Sequence, residues 1–83
     1  MIVTVGLFAR AKDIVAADSI RVELPAGATV GELRLALAAS HPALAVLLIH
    51  SALAVNDEFA DDQQRLTEHD DIALLPPVSG GRG

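Results

Sequence analysis

Eighty-three residues leave room for one small domain and no second, since a chain of this size buries roughly 60% of its unfolded surface and builds a single core. An apolar fraction of 52%, supplied mainly by Ala, Val, Leu and Ile, excludes disorder, and the absence of cysteine excludes disulfides, thiolate metal sites and cysteine nucleophiles. Six basic against eleven acidic residues, with no basic cluster, argue against nucleic acid as a partner and for a basic protein surface instead.

Residues 1–9 read as a strand rich in Ile, Val and Thr, and residues 19–24 alternate as Ile20, Arg21, Val22, Glu23, Leu24, the period of a half-buried strand. Residues 10–18 between them are expected to form a loop or irregular turn, with the two strands pairing as a hairpin. Thr29-Val30-Gly31-Glu32 is a capping box: the Thr29 hydroxyl accepts from the third helical N–H while Glu32 reaches back to the cap. A helix therefore starts at Val30, with Val30, Leu33 and Leu37 on one apolar stripe, Ala36 widening it and Arg34 pointing elsewhere. His41-Pro42 ends it, because proline disfavours helix at the preceding residue.

Residues 43–50 carry Leu44, Leu47 and Leu48 at helical spacing and predict a short helical turn under the sheet. Residues 52–56 are a short apolar strand ending at Asn56-Asp57, a turn signal, and residues 58–60 return briefly. Leu66, alone in a polar stretch, plugs the core, and residues 71–75 form the last strand. This order predicts an α+β fold, a mixed sheet of four to five strands with one main helix on one face. The domain takes residues 1–75 and an extended tail residues 76–83. Seven of the eleven acids and one base lie in residues 57–71, so that segment carries −6 and the rest +1. Most of those acids form a solvated face.

The N-terminal stretch lacks a charged leader region and a small-residue cleavage site, and the longest apolar run, residues 43–49, is far shorter than a membrane span. A soluble, cytoplasmic protein with no membrane partner is expected. His41, His50 and His69 have no metal-ligand spacing, the serines sit in no nucleophile elbow, and no phosphate loop follows Gly27 or Gly31. Chemistry is thereby left to the tail. Pro76 and Pro77 stop the strand ladder and project the chain, Val78 offers an anchor, and Gly80 and Gly81 fit a channel too narrow for a Cβ. The alternative is a Gly-rich terminus with no role.

The whole chain resembles the MoaD-type sulfur carriers, the ubiquitin-like β-grasp family of the small subunit of molybdopterin synthase. The match is carried by Leu7-Phe8-Ala9, the helix start at Thr29 to Leu33, Ala54-Val55-Asn56, the turn Leu66-Thr67-Glu68-His69-Asp70-Asp71-Ile72 and the end Leu75-Pro76-Pro77-Val78-Ser79-Gly80-Gly81. The resemblance implies a β-grasp domain that is no catalyst alone but the sulfur-donating subunit of a sulfurtransferase. It implies that Gly81 carries a thiocarboxylate made through an acyl-adenylate, that Gly80 gives clearance, and that Pro76, Pro77, Val78 and Ser79 line the insertion path. Implied partners are the large synthase subunit, an E1-like adenylyltransferase and a sulfur donor. The chain itself binds no cofactor, and ATP is used by the activating partner.

Phe8 and Leu75 are candidates for docking on those partners, with ordinary core packing as the alternative for each. Two departures stand out. His69 replaces a glycine common in the family, at some cost if the turn needs positive φ. Arg82-Gly83 follow the diglycine, which implies removal by a tail-processing peptidase, residues added for expression, or Gly83 serving as the end of a divergent system. A carrier for thiamine, cysteine or tRNA thiolation, and a non-catalytic ubiquitin-like interaction module, are the other functions the pattern allows.

Overall fold

The computed structural model describes residues 1–77. Along the chain run β1 (Ile2–Leu7), α1 (Ala9–Val15), β2 (Ser19–Glu23), α2 (Val30–Ser40), a 3-10 turn (Pro42–Leu44), α3 (Ala45–Ile49), β3 (Ala52–Val55), β4 (Glu58–Ala60) and β5 (Ile72–Leu75). The strands form one mixed sheet in the order β2-β1-β5-β3-β4. β1 and β2 pair as the expected antiparallel hairpin, from Ile2 opposite Glu23 to Gly6 opposite Ser19. β5 enters between β1, to which it is parallel, and β3, to which it is antiparallel. The segment that leads into the tail is therefore the centre of the sheet.

Alternation assigns the faces. Val3, Val5 and Leu7 of β1, Ile20 and Val22 of β2, Leu53 and Val55 of β3, and Ile72 and Leu74 of β5 are all buried. They meet Val30, Leu33 and Leu37 of α2, which are fully enclosed, and Leu44, Leu47, Leu48 and Leu66. Each such side chain contributes about 1.5–3 kcal/mol by leaving water, so the helix stripe read from sequence is a main source of stability. The capping box is formed at both ends: the Glu32 N–H donates to the Thr29 hydroxyl and the Thr29 N–H donates to the Glu32 carboxylate at 2.9 Å. Gly31 in that first turn lies against the following loop, and a Cβ there would stand 3.2 Å from the Asp62 carbonyl oxygen.

Residues 10–18 do not form a loop throughout, as expected from sequence; most of them belong to α1. Its apolar positions, Ala11, Ile14 and Val15, do fall at helical spacing, but the helix is only seven residues long and neither end carries the usual signal. Phe8 at its start makes no side-chain cap, Ala9 has φ of 52°, and Ala16 closes it in the left-handed region where glycine is usual. Ala16 there carries a steric cost of about 1–2 kcal/mol, partly offset in a glycine variant by chain entropy. Ala16→Gly is expected to raise the unfolding free energy by about 0.5–1 kcal/mol, read as a higher denaturant midpoint at unchanged slope. A lower midpoint would show that the left-handed closure is not a strain the fold carries.

His69 is not among the residues with positive φ, so the turn it occupies needs no glycine. Among the described residues no single helix is long and apolar enough to cross a membrane.

Candidate functional site at the root of the tail

β5 alternates to its last residue: Ile72 and Leu74 point into the core, Ala73 and Leu75 to the other face of the sheet. Cross-strand register then lines up Gly6, Ala73, Ala54 and Phe59 in one outward row across β1, β5, β3 and β4. Three of these four side chains are small or absent, so the middle of the face is low. Phe8, in extended conformation just past β1, lies over Gly6 and closes one side; Phe59, on the edge strand, closes the other. The result is a trough of about 280 Å³ lined by Phe8, Ala54, Asp57, Phe59, Ala73 and Leu75.

Its walls are exposed for aromatic residues: Phe8 by 50% and Phe59 by 79%. Phe8 is therefore not a core residue, and Leu75 is half-buried on the outward side. The two docking candidates of the sequence meet in one concavity. Phe59 was missed, because a three-residue strand is too short to show a period. The available signal was a lone aromatic in an acidic stretch, which burial in the core would have left unexplained as readily as exposure.

The rim of the trough is held by polar ties. Asn56 and Asp57 both have positive φ, the left-handed pair that a tight hairpin turn requires. The Asn56 amide donates to Asp70 at 3.0 Å and its carbonyl accepts from the Asp71 N–H at 2.9 Å, which fastens the β3–β4 turn to the start of β5. The Thr67 N–H donates to the other Asp70 oxygen, and that bond first, then the Asn56 amide, holds the Asp70 carboxyl below the usual carboxylate range. A lowered folded pKa means the tie is at full strength above the ordinary carboxylate pKa and is lost only as the pH falls through the lowered value. The tie fixes the turn from which Asp57 lines the trough.

Beyond Leu75 the chain turns out of the sheet through Pro76, half-buried, and Pro77, exposed. Val78, Ser79, Gly80 and Gly81, with Arg82 and Gly83, lie outside the described residues. His41 caps α2, His50 caps α3 and His69 sits in the turn before β5. Among the described residues no three His, Asp or Glu side chains group as a metal site.

Residues 5–81 match the model of the ThiS family, so the match ends on the second glycine of the pair. A molybdopterin synthase sulfur carrier subunit from Dictyostelium discoideum is 38% identical over 78 residues, covering 90% of this chain and 91% of that protein. The crystal structure of small archaeal modifier protein 1 from Haloferax volcanii superposes with a TM-score of 0.85 at 31% identity, over 98% of this chain and 100% of that one. A chain of the complex between subunits 1 and 2 of molybdopterin-converting factor from Helicobacter pylori superposes with a TM-score of 0.69 at 29% identity, over 98% and 100%. The folds of these proteins are ubiquitin-like β-grasp folds, as is this one.

Proposed function

The chain belongs to the ThiS family, and on that premise we propose that it is the sulfur-carrier small subunit of molybdopterin synthase, with Gly81 as its reactive end. The observation that carries the reading is the placement of the trough: an exposed apolar concavity ends at Leu75, one residue before the Pro76-Pro77 root of a diglycine tail. A tail that has to enter another protein needs a surface beside its root on which that protein can sit. Phe8, Phe59 and Leu75 supply it, and Asp57 favours a basic group on the partner. The Helicobacter pylori complex, in which a similar chain is joined to a second subunit, supports the large synthase subunit as one such partner.

The chemistry resides in the end of the chain. A Gly81 carboxylate oxygen attacks the α-phosphorus of ATP on the adenylating partner and expels pyrophosphate, which converts a poor leaving group into AMP. Sulfide then adds to the acyl carbon and expels AMP, leaving a thiocarboxylate; a persulfide donor instead forms an acyl disulfide, which a thiol of the donor cleaves, releasing the thiocarboxylate as that thiol becomes a disulfide. In the large subunit that sulfur passes to a pyranopterin precursor, and water returns the carboxylate. The chain contributes positioning: Pro76 and Pro77 hold φ near about −65° and stiffen the root, and Gly80 lets the end pass a narrow channel.

None of this proceeds with Arg82 attached, because Gly81 is then an amide rather than an acid. Activation at Gly81 therefore needs a chain that ends there, the residue on which the family match stops. Intact mass spectrometry of the protein from its own host, with the adenylating enzyme, ATP and a sulfur donor, tests the sequence of steps. A chain ending at Gly81 that gains about 16 Da, oxygen replaced by sulfur, is expected. A chain still ending at Gly83 and unchanged in mass beside active partners would overturn the Gly81 assignment. Isopeptide conjugates in place of the thiocarboxylate would move the protein to the modifier branch of the fold.

A further inference from the structure

The trough covers one side of the tail root. On the other side a second cleft, of about 220 Å³, opens between α1 and α3, with Arg10, Ile14, Ala43, Val46, His50 and Pro77 in its walls. The outer surface of α3 is unlike that of an ordinary surface helix. Residues 42–49 contain no charged side chain, and while Leu44, Leu47 and Leu48 fill the core, Val46 and Ile49 face outward with 76% and 70% exposure. A helix that meets only water carries polar residues on that side. Here both sides are apolar, and the core accounts for one of them.

Position identifies the occupant. Phe8 lines the trough and Arg10, two residues on, lines the cleft; Leu75 lines the trough and Pro77, two residues on, lines the cleft. The chain between these pairs is the divide, and Pro77, the residue that precedes the tail in sequence, stands beside it. A protein that encloses residues 78–81, with room only for glycine at 80 and 81, brings the mouth of its channel against both sides.

We propose that the α1–α3 cleft is a second docking surface, which seats the rim of the channel through which a partner takes in the tail. The proposal rests on the sulfur-carrier reading and extends it to the helical side of the molecule. The fitting partner rim presents an apolar side chain between Ile14 and Val46 and a carboxylate opposite Arg10, whose guanidinium forms no ion pair among the described residues. Charge also fixes the orientation. Asp57 stands on the trough side and Arg10 on the cleft side, so a partner closes in one sense only, basic over the sheet and acidic over the helices.

The test uses the chain ending at Gly81 and measures its affinity for the large synthase subunit by calorimetry, for wild type, Val46→Glu, Arg10→Glu and Leu35→Glu. Leu35 is 72% exposed on α2 and lines neither concavity, so its variant serves as the control. Val46→Glu is expected to weaken binding by about tenfold or more, and Arg10→Glu by several-fold with a smaller dependence on salt, while Leu35→Glu stays at wild type. Thermal melting of each variant separates docking from folding.

Wild-type binding that Val46→Glu leaves unchanged would overturn the cleft proposal and keep the carrier reading. Absence of wild-type binding would remove both. Two other occupants are decided by the free chain. A dimer in sedimentation that Val46→Glu dissolves would assign the cleft to a second copy. A change in the Val46 methyl resonances on deleting residues 78–81 would assign it to the chain's own tail. Either overturns the proposal.

Discussion

Phe59→Asp is expected to reduce affinity for the large synthase subunit by about 100-fold while the protein keeps its fold. The ring stands on an edge strand, opposite Ala54, with most of its surface in water, so folding gains little from it. What folding does not use, docking can. A central aromatic that fills a partner pocket typically accounts for about 2–4 kcal/mol, and a carboxylate in its place has to be dehydrated in the same pocket. The acid also adds to Asp57 and Glu58 on the same hairpin, which raises local repulsion without touching the core. Loss of strand propensity costs up to about 1 kcal/mol, a fraction of the stability of a domain this size. Phe8→Asp would confound the two effects, since Phe8 is half-enclosed over Gly6 and immediately precedes α1. Titration of the variant against the large subunit, beside a thermal melt, gives both readouts. Affinity within about threefold of wild type would place the docking surface elsewhere.

The features legible in the sequence are those set by neighbours along the chain. Thr29 and Glu32 announce the start of α2 because the cap is a local exchange of two hydrogen bonds, and Val30, Leu33 and Leu37 show its buried side because a helix repeats within seven residues. The alternation of Ile20 to Leu24 reveals which side of β2 is covered in the same way. What the sequence conceals is set across the chain. Nothing local tells Phe59 that Ala54, Ala73 and Gly6 will stand beside it in a low row, since that row is made by three separate strand pairings. α1 escapes because tertiary burial of Ala11, and not a cap or a glycine stop, holds its seven residues. The trough was half legible, through Phe8 and Leu75; the cleft between α1 and α3 was not, because one of its walls reads as loop.

Arg34→Met is expected to lower the unfolding free energy by about 2–4 kcal/mol, the second large effect, although the sequence marks Arg34 only as a residue off the buried stripe. Its side chain, 23% exposed, ties α2 to the end of α3, to Ser51 just before β3 and to Asp62 in the loop after β4. One nitrogen donates to the Leu48 carbonyl at 2.7 Å and to the Ser51 carbonyl at 2.9 Å, and the other faces Asp62 at 3.2 Å. The last carbonyls of α3 have no partners within the helix, and beside the His50 and Ser51 N–H groups this side chain helps to satisfy that end from outside. Methionine keeps the aliphatic stem but removes two charge-assisted bonds to part-buried carbonyls, of which that of Leu48 retains only the longer Ser51 N–H contact at 3.3 Å, and this sets the size of the loss; the exposed pairing with Asp62 adds little. Lysine restores a charge but not the fork, so Arg34→Lys is expected to recover less than half. Denaturant unfolding at constant slope measures both, and a loss below about 1 kcal/mol for methionine would show that the clamp is dispensable. The same variant reaches function by a second route. Arg34 holds the end of the helix that carries Val46 and His50, so loosening it disturbs the α1–α3 cleft without altering any residue in its walls. Affinity for the tail-accepting partner should then fall with Arg34→Met even at temperatures where the domain is fully folded, whereas Phe59 and the trough, on the opposite side of the sheet, remain in place.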